Sequence, residues 1–197
     1  MHHQIRRVRP LAACLALCGA LTAGIARAES EAPGATPPDA LPRVELMTVL
    51  QHVTGAPAKH FAIDAAAPSR IVVGTLDASG MSYPVLLTVL GNNGLTAVHT
   101  AGLVNVIPLA NVRHYALPIV TNLDENRPDD EWVTFAFRPK HAVAAALVPI
   151  LRPMIPAAGN LAAIGDENTL IFVDRFANLR RLVQLIRGID TAWAADQ

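Results

Sequence analysis

The residues that could do chemistry here are histidines, carboxylates, arginines and two cysteines. Five histidines follow residue 28: His52, His60, His99, His114 and His141. A metal centre draws on histidines and thiolates at close spacing, such as two on one helix face four residues apart. These histidines never stand at that spacing, and no acid-rich cluster joins them. Both cysteines, Cys14 and Cys18, fall in the N-terminal apolar run. The chain has no Gly-x-Ser-x-Gly elbow and no phosphate-cradling P-loop. The "GNNG" of residues 91–94 reads as a helix stop leading into a turn. Carboxylates gather in turns and in "NLDENRPDDE" (residues 122–131), which carries five acids against one arginine but lacks the central glycine and closing glutamate of a calcium loop. The residues therefore predict no catalytic site, no metal, no cofactor and no small-molecule substrate, and the chain is read as a non-enzyme.

Charge narrows the partners. Sixteen basic and sixteen acidic residues balance, and aromatics make up 5%. Neither the basic face nor the stacking platform of a nucleic-acid binder is present. Arg175, Arg180 and Arg181, with Arg187, lie on or near the polar side of a C-terminal helix. They are either a docking surface for an acidic partner or a solvated helix face.

The elements that would position these groups follow from periodicity. Arg6, Arg7 and Arg9, then an apolar run over residues 11–25, then Ala26-Arg27-Ala28, form the pattern of a secretory signal peptide over residues 1–28, cleaved after Ala28. Export to the periplasm is expected, with no stable membrane span after cleavage. With both cysteines removed, no disulfide is available, so the folded modules must be held by their cores alone. Residues 29–40, rich in Pro, Ala and acids, read as a tether. Residues 121–131 read as a solvated acidic linker, and 191–197 as a tail.

Between these lie two modules. Residues 41–120 read as a short leading strand near 41–44, a helix over 44–54 stopped by Gly55, strands at "HFAID" and "RIVVGTL" (70–76), a helix capped by Ser82 with Pro84 in its first turn, and a hairpin around Ala101-Gly102. Residues 132–190 read as a strand at "WVTFAF", a helix over 142–152 with Pro149 inside it, strands at 161–164 and 169–174 joined by "GDEN", and a last helix capped by Asp174. Leu179, Leu182, Val183 and Ile186 give that helix an apolar stripe. The fold class is α+β: two small two-layer modules, the second a strand–helix–strand–strand–helix sandwich with helices on one face, similar in order to KH domains. The backbone-clamping GXXG loop of KH domains is missing.

The first module, from "VELMTVLQHVTGAPAKHFAIDAAAPSRIVV" through "GNNGLTAV" to "VNVIP", resembles the short N-terminal domain shared by secretins and TonB-dependent transducers. The second, with "DENTLIFVDRFANLRRLVQLIRGID", resembles the NolW-like secretin repeat; Asn168, Asn178, Arg181 and Ile189-Asp190 carry its pattern. Together they cover most of residues 41–190 in the order found in type II secretion secretins. The resemblance stops short of a pore domain, so no channel function is implied. It implies an adaptor bound to a secretion-system inner-membrane protein or a full-length secretin, with self-association possible. The alternative is a signalling module of a TonB-dependent system. Small open sheets offer edges for strand addition. The strand containing Arg70, Val72 and Gly74 is a docking rail if it lies at an edge, and a plain internal strand if it does not.

Overall fold

The computed structural model describes residues 41–195. The expected signal peptide with Ala26 and Ala28, the tether and the last two residues lie outside the described residues. The described residues form an α+β fold whose strands make three small sheets.

Residues 41–108 begin with β1 (Arg43–Glu45) and α1 (Leu46–Gln51), then β2 (His60–Ile63) and β3 (Arg70–Val72). They close with α2 (Tyr83–Asn92), β4 (Leu95–Thr100) and β5 (Leu103–Pro108). The order of elements is as expected, but two of them are shorter. The helix expected over residues 44–54 begins only at Leu46, because Val44 is drawn into antiparallel pairing with Ile71. It ends before Gly55, which lies in the following loop at φ +71° rather than capping the helix. The strand expected over 70–76 ends at Val72, since Gly74 takes a left-handed φ of +71° that a regular ladder does not accommodate. Ser82 precedes α2 with Pro84 in the first turn, but the serine side chain makes no capping bond.

β1 and β3 form a two-stranded ribbon, while β4 and β5 form the expected hairpin and β2 runs parallel to β5. Its turn residues Ala101 and Gly102 both have positive φ, 53° and 79°, as a two-residue hairpin turn requires. Leu46, Val49 and Leu50 of α1 and Leu86, Leu87 and Leu90 of α2 bury their apolar faces against Ile71, Val104 and Val106.

The third sheet contains β6 (Ile119–Val120), β7 (Trp132–Phe137), β8 (Asn160–Ile164) and β9 (Thr169–Arg175) in the order β6-β7-β9-β8. The strand–helix–strand–strand–helix order is present, with β6 added as a fourth strand parallel to β7. Helices α3 (Ala144–Leu151) and α4 (Phe176–Ala195) cover one face. α3 starts two residues later than expected and turns Val143 and Ile150 outward, 58% and 47% exposed. Its buried contacts are Ala144, Leu147 and Leu151. Pro149 falls within α3, which ends two residues later in a 3-10 turn. On α4, the predicted stripe of Leu179, Leu182, Val183 and Ile186 is fully buried.

Asp174 does not cap α4 in the manner expected. It is the penultimate residue of β9, has no exposure, and accepts from the Arg175 N–H and the Asn178 side-chain amide. The first α4 amides reach across the chain instead: Phe176 N–H donates to the Glu131 carbonyl and Ala177 N–H to that of Asp129. This meets the helix's need for N-terminal acceptors with the main chain of the acidic segment.

The apolar core is not confined to the two clusters beneath the helices. A third apolar cluster joins Val98 of β4, Ile107 of β5 and Val112 to Trp132 of β7, with Val173 packed against it. Alternation along β7 explains this: Val133 and Phe135 face the helices, so Trp132 must face the other side.

Candidate docking surfaces

The ribbon is where the structure places Arg70 and Val72, and Gly74 follows just beyond its end. β3 has β1 on one side and, among the described residues, no strand on the other. Beside it lies a groove of about 700 Å³ lined by Val72, Val73, Gly74, Leu76, Val85 and Val89, among others. Leu41, Leu76 and Val85 are 40%, 49% and 38% exposed there, which makes the rim apolar. So β3 is an edge strand, but its edge is already engaged. The Val72 N–H donates to Asn93 Oδ1 and the Val72 carbonyl accepts from Asn93 Nδ2, both at 2.8 Å. Arg70 folds back on β1, its guanidinium donating to the Arg43 carbonyl at 2.8 Å and lying 3.4 Å from the Glu45 carboxylate.

The arginines of the second surface are distributed differently from a row of free cations. Arg175 lies 3.0 Å from Asp130, and Arg180 is ion-paired to Asp129 while its guanidinium sits 5.2 Å from the Phe176 ring centroid. The acidic segment, expected to be solvated, thus neutralises two of the three arginines proposed to meet an acidic partner. It is further tied by Arg127, which pairs with Glu125 at 2.7 Å and Glu131 at 3.1 Å. The Glu125 hydrogen bond is the main cause of an Arg127 pKa above its ordinary value. The other oxygen of Asp130 accepts from the Thr88 hydroxyl of α2 at 2.6 Å, so one carboxylate joins α2 to the end of β9. Arg181, the third candidate, is exposed and lines a shallow recess with Asp130, Arg175 and Asn178.

Two buried polar fixtures stand behind these surfaces. Asp190 of α4 accepts from the N–H groups of Lys140, His141 and Ala142 at 2.9, 2.8 and 2.6 Å. Burial pushes its carboxyl upward, but these three donors outweigh that and hold it below the usual range. Asp174 goes the other way: burial raises it despite Asn178 and Arg175. Asn168, at φ 46°, accepts from Ala144 N–H at 2.8 Å and donates to the Ala142 carbonyl at 3.1 Å. In α2, Tyr83 is buried and its phenol is pushed up to about 12 by burial and by the Glu131 charge.

His52, His60, His99, His114 and His141 are exposed, and among the described residues no group of three or more His, Cys, Asp or Glu is placed to hold a metal ion. No helix among the described residues is long and apolar enough to cross a membrane. The role of Asn93 escaped sequence reasoning. Its signal was present, an asparagine at a helix end, but the strand it serves is 21 residues away.

Residues 134–195 match the family described as the bacterial type II/III secretion system short domain. The secretin XcpQ of Pseudomonas aeruginosa is 26% identical over 154 residues, covering 77% of this chain and 22% of XcpQ. The secretin ExeD of Aeromonas hydrophila is 30% identical over 115 residues, covering 56% of this chain and 16% of ExeD. The chain therefore spans about a fifth of the length of these curated relatives. A chain from the Klebsiella pneumoniae type II secretion system outer membrane complex, which contains PulD, PulS and the PulC HR domain, shares the fold with a TM-score of 0.55. It is 22% identical, over 66% of this chain and 23% of that one.

Proposed function

We propose that this chain, homologous over 77% of its length to the N-terminal region of a type II secretion secretin, is a periplasmic, non-enzymatic adaptor of a type II-like secretion system. It acts through protein–protein contacts, with an inner-membrane component or with a full-length secretin. The observation that carries this reading is that the similarity to a secretin spans 154 residues, well beyond the residues 134–195 that match the family. An adaptor needs a fixed fold with surfaces for its partners more than it needs a reactive side chain. The Klebsiella complex contains a PulC HR domain alongside its secretin, and a domain of that kind is the partner expected here.

The groove beside β3 is the favoured docking surface, because its exposed Leu41, Leu76 and Val85 offer apolar area next to Arg70, Val72 and Gly74. Arg181 is the remaining candidate on the second surface, since Arg175 and Arg180 already hold Asp130 and Asp129. The test is capture of the cognate HR-type domain by the exported chain, with Val85→Glu run alongside. Val85 is 38% exposed, so the variant retains its core. Binding that falls at least about tenfold in the variant, a loss of roughly 1.4 kcal/mol, supports the groove. Equal binding moves the partner to another surface, and binding of neither an HR-type domain nor a secretin removes the secretion assignment.

A further inference from the structure

We propose that Asn93 is a built-in substitute for a neighbouring strand, and that its amide keeps the β3 edge from pairing with a second copy of this chain. The register shows which groups are at stake. Ile71 pairs with Val44, and the Leu46 N–H donates to the Ser69 carbonyl, so alternate residues of this strand face β1. Val72 follows Ile71 and so belongs to the other set, and its N–H and carbonyl point to the free edge.

A free strand edge with an apolar margin is a template for another strand. Here the margin is the open groove of about 700 Å³ with Leu41, Leu76 and Val85 exposed. A second copy fits this edge by symmetry: two Val72 residues related by a twofold axis would exchange both main-chain bonds, as in a hydrogen-bonded antiparallel pair. Asn93 supplies the same two bonds from within. A primary amide carries the donor and the acceptor of a peptide group, and both Val72 contacts measure 2.8 Å. A third bond, from Nδ2 to the Val89 carbonyl at 2.8 Å, fixes the amide to the end of α2. Aspartate, serine or alanine at this position cannot complete the set. The inference concerns association of the chain with itself, and it stands whether or not the partner proposed above is correct.

The test compares the exported chain with Asn93→Ala by sedimentation equilibrium and by hydrogen exchange at the Val72 amide. The expected result is a protected Val72 amide in the monomeric wild type. In the folded variant, that protection is lost at low concentration and self-association is at least about tenfold tighter, equivalent to about 1.4 kcal/mol. Adding Val85→Lys, which places a charge on the rim of the groove, should abolish the added association. If Asn93→Ala fails to fold, Asn93→Asp takes its place: it keeps an acceptor for Val72 N–H, loses both donated bonds, and is read by the same criteria. A folded variant with wild-type association overturns the proposal, as does added association that survives Val85→Lys.

Discussion

Removing the Asp190 carboxylate should unlock the loop that starts α3. Its three donors differ in what replaces the lost acceptor. Lys140 and His141 are exposed, so water can take over their N–H groups, whereas Ala142 is fully buried and its N–H is left without a partner. An orphaned buried donor costs about 1–3 kcal/mol, and each solvent-replaced bond costs about 0.5–1 kcal/mol. Asp190→Ala should therefore lose about 2–5 kcal/mol. At about 2–4 °C per kcal/mol for a chain of this size, Tm falls by roughly 4–20 °C. Asp190→Asn keeps one oxygen but turns an amide donor toward an N–H, and should lose about 1–2 kcal/mol. The pH dependence has a definite sign. The folded pKa of Asp190 lies below its unfolded value of about 3.9. Its contribution is complete above about pH 3.9 and disappears as pH falls through the folded pKa. Asp174 has a raised pKa and the opposite dependence: its contribution is full below the unfolded value and is lost as pH rises through the folded one. Measuring wild type minus Asp190→Asn at each pH cancels the Asp174 effect. Urea unfolding between pH 7 and about pH 3 should show that gap narrowing toward the acid end. A difference at pH 7 below about 0.5 kcal/mol for Asp190→Ala, the level of an ordinary surface change, would refute the clamp.

Asn168 combines a left-handed φ of 46° with hydrogen bonds to Ala144 and Ala142. Asn168→Gly should therefore be less destabilising than Asn168→Ala by about 0.5–1 kcal/mol in chemical denaturation. A Cβ at Gly159 would lie 2.7 Å from the Val173 carbonyl and 2.9 Å from Ile155 Cγ2. Gly159→Ala should accordingly cost about 1–3 kcal/mol, and a neutral result would show that β9 yields there. Asp130→Ala breaks the bridge from Thr88 to Arg175. At this partly exposed site the expected loss is about 1 kcal/mol, shrinking in high salt, with a double-mutant cycle against Arg175→Ala isolating the pair.

Much of the fold was legible because it depends on local chemistry. The α4 stripe repeats at three and four, the Ala101-Gly102 turn has one comfortable geometry, and the β7 alternation assigns Val133 and Phe135 to one face. The misread boundaries lie where a distant partner decides. Val44 left the helix period for a strand because Ile71 pairs with it, and β3 stopped at Val72 because the chain turns at Gly74. The docking candidates divided in the same way. That Arg175 and Arg180 are charged and near one helix face is a matter of composition and period. Their pairing with Asp129 and Asp130 depends on a segment 45 to 51 residues earlier returning to the start of α4.

By itself, the sequence determined the α+β class, the order of the elements, the apolar faces and the resemblance to secretin N-terminal regions, because each follows from residue type at short spacing. Tertiary structure alone decided that Trp132 faces the first module's hairpin, that Asp190 and Asn168 brace one loop, and that Asn93 occupies the edge of β3. These are contacts between groups far apart in the chain, and a hydrogen bond satisfied at that distance leaves no periodic trace in the residues that make it.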